Sequence, residues 1–263
     1  MSIKIYQVDA FANEPFTGNP ACVCLMEDER PDAWLQSVAA EMNLSETAFV
    51  WRKPDGFHIR WFTPWTEVEL CGHATLGSAH VLWESGWLES STEAKFNSLS
   101  GVLGAVKEGD DIFLDFPAKA PVSVEPPSGL LEGLNVEPLY VGTDKTDFVI
   151  EVGDEATICE LSPDFEKLKN VEARGIIVTS ASESNDYDFV SRFFGPAVGI
   201  NEDPVTGSAH CILAPYWSKK LEKQSMLAYQ ASARGGFLSL EVNDSRVRLG
   251  GKAKTVFAGE LLV

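Results

Sequence analysis

The sequence is poor in the residues that build metal centres, disulfides and nucleic-acid interfaces. It has four histidines and five cysteines, and no two cysteines form a Cys-x-x-Cys pair. Cys71 and His73 could share a metal ion, but no neighbouring residue completes a usual ligand set, so we expect no metal. Lys and Arg total 21 against 39 Asp and Glu, a net charge of −18. That balance disfavours nucleic acid and anionic membrane surfaces as partners.

Long apolar runs are also missing. No stretch of about 18 or more apolar residues occurs, and the opening "MSIKIYQVDAFANEPF" has no basic segment followed by an apolar one. We therefore expect neither a membrane span nor a secretory signal. An odd number of scattered cysteines then favours reduced thiols and a cytoplasmic location. Apolar residues make up 44% of the chain and charged residues 23%, as is typical of globular proteins.

What the sequence does contain is an internal repeat. Gly-Ser-Ala-His occurs at 77–80 and again at 207–210. "RWFTP" from Arg60 matches "RFFGP" from Arg192, and "GVLGAV" from Gly101 matches "GFLSLE" from Gly236. The offsets stay between 130 and 135 residues and the order is kept, which indicates two similar halves.

The pattern of each half predicts strands around one buried helix. In the first half we expect a helix over 32–42, strands over 46–52 and 57–62, a helix over 74–85 that is apolar on most faces, and a hairpin of 102–107 with 111–116. The repeated glycine segments are predicted to start the two central helices, and Pro215 to kink or end the second. The predicted class is α+β, with two pseudo-symmetric lobes, each a barrel-like, mostly antiparallel sheet wrapped around a central helix.

If the chain has two lobes, a domain boundary lies between them, and positions at which the two halves differ are candidates for a functional site. The predicted domains are 1–117 and 118–263, joined by the proline-rich "FPAKAPVSVEPPSG", with a last strand that can return to the first lobe. At an offset of 130, His73 falls opposite Asp203. A donor facing a carboxylate near two helix N-termini would suit a substrate carrying an acid and an amine or hydroxyl. The simpler alternative is that Asp203 caps its helix and His73 lies in a turn.

Glu46, in "NLSETAFV", is a second position at which the two halves differ, because the nearest matching residue in the other half is Arg174. A single glutamate is more often a solvated surface charge. However, the segments "VDAFANEPFTGNPACV", "NLSETAFV", "RWFTPWTEVELCGHAT", "GINEDPVTGSAH" and "QASARGG" together resemble the PhzF (phenazine biosynthesis-like) family. The resemblance covers essentially the whole chain.

The resemblance implies a diaminopimelate-epimerase fold, an active site between the lobes and a homodimer. It also implies cofactor-independent isomerisation, in which a proton moves between carbons of a small, anionic amino or hydroxy carboxylic acid. The catalytic positions of the family match Glu46, His73 and Asp203. Four further positions match residues near the substrate, namely Asn19, Gly72, Gly207 and Ser208.

Two other functions stay open from the sequence. A binding or interaction protein could keep the fold without turnover, since a fold does not fix a function. A two-base racemase would need a thiol in each lobe, but only Cys71 occupies such a position, and Cys211 is expected to be a buried structural thiol. Cys71 itself is either an auxiliary acid or a small buried side chain.

Overall fold

The computed structural model describes residues 3–262. They form two compact units. Residues up to Asp115 and from Gly250 onward make the first unit, and Phe116–Leu249 make the second. The boundary predicted between 117 and 118 lies two residues further along the chain. Among the described residues, no helix is both long and apolar enough to cross a membrane.

The first unit is built from consecutive strands and two helices. In order they are β1 (Ile3–Ala10), β2 (Asn19–Met26), α1 (Asp32–Met42), β3 (Glu46–Lys53), β4 (Gly56–Phe62), β5 (Glu67–Val68), α2 (Gly72–Glu84), β6 (Ala94–Ser98), β7 (Gly101–Glu108) and β8 (Asp111–Pro117). β1 and β2 are antiparallel, β2 and β3 parallel, and β3 and β4 antiparallel. β4 then pairs parallel with β6, and β6 antiparallel with β7.

The central helix of this unit is α2. Ten of its 13 residues are buried, and it packs against β1, β2 and β3. The buried hydroxyls of Thr75 and Ser78 donate to the carbonyls of Cys71 and Ala74, four residues earlier, so they are not left unsatisfied. A helix covered on nearly every face needs such small or internally bonded polar residues.

The second unit repeats this order. It contains β9 (Val122–Ser123), α3 (Leu130–Leu134), β10 (Tyr140–Thr143), β11 (Asp147–Glu151), α4 (Glu155–Glu160), α5 (Phe165–Leu168), β12 (Gly175–Ala181), β13 (Phe189–Gly195), a 3₁₀ turn (Pro196–Val198), β14 (Ile200–Asp203), α6 (Gly207–Leu221), β15 (Ser225–Gln230), β16 (Gly236–Asn243) and β17 (Arg246–Gly251). β10 and β11 are antiparallel, β11 and β12 parallel, β12 and β13 antiparallel, β13 and β15 parallel, and β15 and β16 antiparallel. The predicted α+β class with a duplicated lobe is confirmed.

The last strand, β18 (Ala253–Leu261), belongs to the first unit. It pairs antiparallel with β1, from Ile3 opposite Leu261 to Ala10 opposite Ala253. β1 therefore has β2 on one side and β18 on the other.

The repeated Gly-Ser-Ala-His does not mark equivalent points of the two helices. Gly207 is the first residue of α6, as predicted, but α2 begins at Gly72, so Gly77 lies in its second turn. When α2 and α6 are aligned at their first residues, Gly72 and Gly207, His73 corresponds to Ser208. The predicted correspondence of His73 with Asp203 is therefore wrong. Small residues are needed wherever a buried helix approaches strands, and Gly77 indeed lies against Val8 of β1. The repeated Gly-Ser-Ala-His therefore reflects the need for small residues where a buried helix packs, and it does not mark where each helix begins.

Pro215 does not end the second helix. α6 continues for six residues beyond it, to Leu221. Proline has no N–H to donate to the carbonyl of residue 211, four positions earlier. The backbone N–H of Lys119 donates to that Cys211 oxygen instead, at 3.0 Å. A long-range hydrogen bond thus replaces the helical one.

Candidate active site

Glu46, Cys71 and His73 come together in the first unit. Glu46 is the first residue of β3, Cys71 is the N-cap of α2, and His73 is the second residue of that helix. Nε2 of His73 lies 3.1 Å from Oε2 of Glu46, and Nδ1 lies 3.5 Å from Sγ of Cys71. A strand start and a helix start therefore bring three ionisable side chains to one place.

The three side chains are largely shielded from solvent. Cys71 is 6% exposed and His73 7%, and the side chain of Glu46 is 15% exposed. Oε2 of Glu46 is buried and accepts no hydrogen bond within the described chain. The imidazole at 3.1 Å is thus a close electrostatic neighbour of this oxygen.

Burial and charge act against each other on the His73 imidazole. Burial alone lowers its pKa, but the nearby Cys71 and Glu46 outweigh burial and raise the pKa well above its ordinary value. Burial, supported by the Glu46 charge, raises the pKa of the Cys71 thiol.

The first turn of α2 adds polar groups to this cluster. Gly72, a predicted substrate contact, is its first residue, and Cys71 makes no side-chain capping hydrogen bond. The first N–H groups of a helix have no partner within the helix and carry its positive dipole end. Asn19, also predicted near the substrate, is the buried first residue of β2. On that strand Ala21 lies opposite Glu46.

The other predicted residues gather at the start of α6 in the second unit. Asp203 is the last residue of β14, and Gly207 and Ser208 open the helix. The N-cap is Thr206, so the alternative that Asp203 caps the helix is wrong. Instead the Thr206 hydroxyl donates to Oδ2 of Asp203.

Gln230 holds this loop and was missed by the sequence analysis. Its side chain is fully buried. It donates from Nε2 to the backbone oxygen of Asp203 and accepts at Oε1 from the Thr206 N–H, both at 2.8 Å. The position of Asp203 is therefore fixed by a glutamine 27 residues away. The segment "QASARGG" carries this residue, but nothing in it signals a role at a helix start.

Arg174 is a second residue that sequence analysis did not assign to the site. Its Nε donates to Oδ1 of the buried Asp147 at 2.9 Å, and its Nη2 donates to Oδ2 of Asp147 and, at 3.1 Å, to Oγ of Ser208. The pairing of β12 with β11 makes its neighbour Gly175 the counterpart of Glu46. The second unit thus has a guanidinium and a hydroxyl where the first has a carboxylate and an imidazole.

The structure adds a third residue to the pair considered for a metal ion. Glu46 is distant in sequence from Cys71 and His73 but lies close to both in space. One ligand atom from each of the three lies within 4.8 Å of the others. Carboxylate, thiolate and imidazole are all ligands that zinc accepts.

Comparisons with known proteins agree with this fold and cover the whole chain. The family model described as phenazine biosynthesis-like protein (PhzC-PhzF) matches residues 8–259. An uncharacterized isomerase of Halalkalibacterium halodurans is 53% identical over 100% of both chains. A crystal structure of a PhzF-family protein from Enterococcus faecalis is 42% identical, with a TM-score of 0.96 and full coverage of both chains.

A more distant structure shows the fold alone. A probable proline racemase from Agrobacterium radiobacter is 10% identical, with a TM-score of 0.66 over 99% of this chain and 93% of its own. The fold and the relatives define an enzyme of the isomerase class with an epimerase-like α+β fold. Within that class, the chain belongs to the PhzF family of phenazine biosynthesis-like proteins.

Proposed function

We propose that the protein is a cofactor-independent isomerase that moves a proton between carbons of a small amino or hydroxy carboxylic acid. Glu46 is the acid and base in this proposal. The observation that carries it is the buried Oε2 of Glu46, which lies 3.1 Å from His73 and has no well-aligned hydrogen-bond donor in the part of the chain that the structure describes. A base that removes a proton from carbon needs a free lone pair in a site from which water is excluded.

The proposed chemistry returns the proton that it removes. Glu46 takes a proton from one carbon, the electron pair of the broken C–H bond delocalises into the substrate, and the protonated Glu46 delivers the proton to a second carbon. Electrostatic stabilisation of the anion that forms is the largest demand of such a step. An imidazolium at His73 and the first N–H groups of α2 would supply it.

The remaining predicted residues are proposed to bind the substrate. Asp203 would accept from its amine or hydroxyl, and the substrate contacts would be Asn19, Gly72, Gly207 and Ser208. Whether one substrate uses the first turns of both α2 and α6 stays a prediction, as do the homodimer, the absence of a cofactor and the cytoplasmic location. A two-thiol racemase is disfavoured because the N-cap of α6, which corresponds to Cys71 in α2, is Thr206.

Deuterium exchange at carbon tests the proposal. Wild type, Glu46→Gln and a control variant at the exposed Glu41, Glu41→Gln, are incubated in D₂O with a panel of small amino and hydroxy acids. The panel includes trans-2,3-dihydro-3-hydroxyanthranilate, and proton NMR follows deuterium incorporation. We expect exchange in wild type and Glu41→Gln and its loss in Glu46→Gln. Exchange that persists in Glu46→Gln would remove Glu46 from this role. A compound that binds wild type without exchange would favour a binding protein without turnover.

A further inference from the structure

The spacing of Glu46, Cys71 and His73 is close to that of ligands around a tetrahedral metal ion. Zinc binds sulfur at about 2.3 Å and imidazole nitrogen or carboxylate oxygen at about 2.0–2.2 Å, which in a tetrahedron places neighbouring ligand atoms about 3.3–3.7 Å apart. Nε2 of His73 lies 3.1 Å from Oε2 of Glu46 and 3.9 Å from Sγ of Cys71. One ligand atom from each of the three side chains lies within 4.8 Å of the other two.

Burial supports the same conclusion. Cys71 is 6% exposed, His73 7% and the side chain of Glu46 15%. Oε2 of Glu46 is a buried oxygen with no well-aligned hydrogen-bond donor among the described residues. Polar side chains that are shielded from water in this way lose their hydration, and contacts to a bound cation would replace it.

We propose that Glu46, Cys71 and His73 bind one divalent ion of the zinc type, and that the bound ion blocks acid–base chemistry at Glu46. The second half of this statement rests on the proposed function, whereas the first half does not. The ion would have three protein ligands and one open position for water, the arrangement of zinc sites that are not purely structural.

The number of protons released on metal binding can be measured. Zinc requires the thiolate form of Cys71 and the neutral form of His73. Each ion that binds therefore displaces the thiol proton and, where the imidazole is protonated, a second proton. The affinity should increase with pH, because protons and metal compete for the same two atoms. The net charge of −18 favours the approach of a cation.

The experiment is a titration of the purified protein with Co²⁺, followed by its visible and near-ultraviolet absorption, and then with Zn²⁺ as competitor. We expect one ion per chain, a thiolate-to-cobalt charge-transfer band, and release of up to two protons. Cys71→Ser should abolish the band and weaken binding more than about 100-fold, beyond the usual cost of losing an outer-shell partner. The matched control is Cys159→Ser, which removes the exposed cysteine and should leave the titration unchanged.

Because Cys71→Ser could lose metal binding by misfolding, the ligands are also identified directly, by X-ray absorption of zinc bound to the wild-type protein. One sulfur at about 2.3 Å with nitrogen and oxygen at about 2.0–2.2 Å is expected. A shell without sulfur, or a cobalt band that disappears in Cys159→Ser, would overturn the proposed site. Metal binding together with deuterium exchange that persists in Glu46→Gln would leave the site intact and contradict the proposed role of Glu46. Exchange unaffected by a stoichiometric, bound zinc ion would contradict the blocking role.

Discussion

Nε2 of His73 and Oε2 of Glu46 lie 3.1 Å apart, yet no group between residues 3 and 262 donates a well-aligned hydrogen bond to that oxygen. His73 is fixed by the second position of a buried helix, and Glu46 by the first position of a strand. The start of a strand and the start of a helix therefore hold an imidazole and a carboxylate close together in a largely buried place.

We expect His73→Asn to lower the rate of carbon-proton exchange about 10²–10³-fold, because the anion formed in the reaction loses its nearest positive charge. The substrate KM should change less than kcat. The rate is measured by NMR in D₂O. His58→Asn, in β4 of the same unit, serves as the control and should keep wild-type activity. Equal rates in His73→Asn and wild type would exclude His73 from catalysis.

Stability should depend on pH through His73. The pKa of its imidazole is higher in the folded protein than the ordinary value of about 6.5 expected when unfolded. Its stabilising contribution is therefore fully present below about pH 6.5 and is lost as the pH rises through the folded pKa. Urea unfolding from pH 6 upward should show a steeper fall in the free energy of unfolding for wild type than for His73→Asn. Parallel curves would contradict the raised pKa.

Removal of Arg174 should destabilise the second unit. Asp147 is fully buried and receives two hydrogen bonds from the Arg174 guanidinium. Arg174→Leu would leave a buried carboxylate unpaired, which costs about 3–5 kcal/mol. We expect the lower part of that range because the arginine side chain is 45% exposed and water can reach the site. The double variant Asp147→Asn/Arg174→Leu should recover part of the loss in urea unfolding. No recovery would show that the charge of Asp147 is not the cause.

Gly18 should not tolerate a side chain. Its φ is +67°, and a Cβ atom there would overlap the carbonyl oxygen of Ala10. Gly109 has a similar φ of +64° but open space around it, so Gly109→Ala measures the backbone cost alone, about 1–2 kcal/mol. We expect Gly18→Ala to lower the free energy of unfolding by clearly more than Gly109→Ala. Equal losses would mean that the Ala10 backbone moves aside at no cost.

The parts of the fold that depend on local patterns follow from the sequence. Apolar residues on most faces of 74–85 predict a buried helix, and α2 is that helix, beginning two residues earlier. The two similar halves follow from segments that recur in order. Equivalent positions do not follow, because the same small residues serve helix packing at Gly77 and a helix start at Gly207.

Long-range contacts explain what the sequence could not predict. Glu46, Cys71 and His73 could each be named from their motifs, but the proximity of Glu46 to the other two depends on how β3 lies beside the start of α2. Pro215 is accommodated by a hydrogen bond from Lys119, 96 positions away. Gln230 reaches the Asp203 loop only through the folded chain. Such contacts leave no periodic pattern and no local motif.

The pairing of β18 with β1 has a consequence for the order in which the chain acquires structure during synthesis. The second unit is one continuous segment, whereas the first joins strands separated by about 250 positions, such as Ile3 and Leu261. A ribosome adds about 5–20 residues per second, so β18 is synthesised many seconds after β1, and during that time one edge of β1 has no partner strand. Until then its open edge can pair with another nascent chain. The second unit has all of its strands before β18 is made, and can fold first.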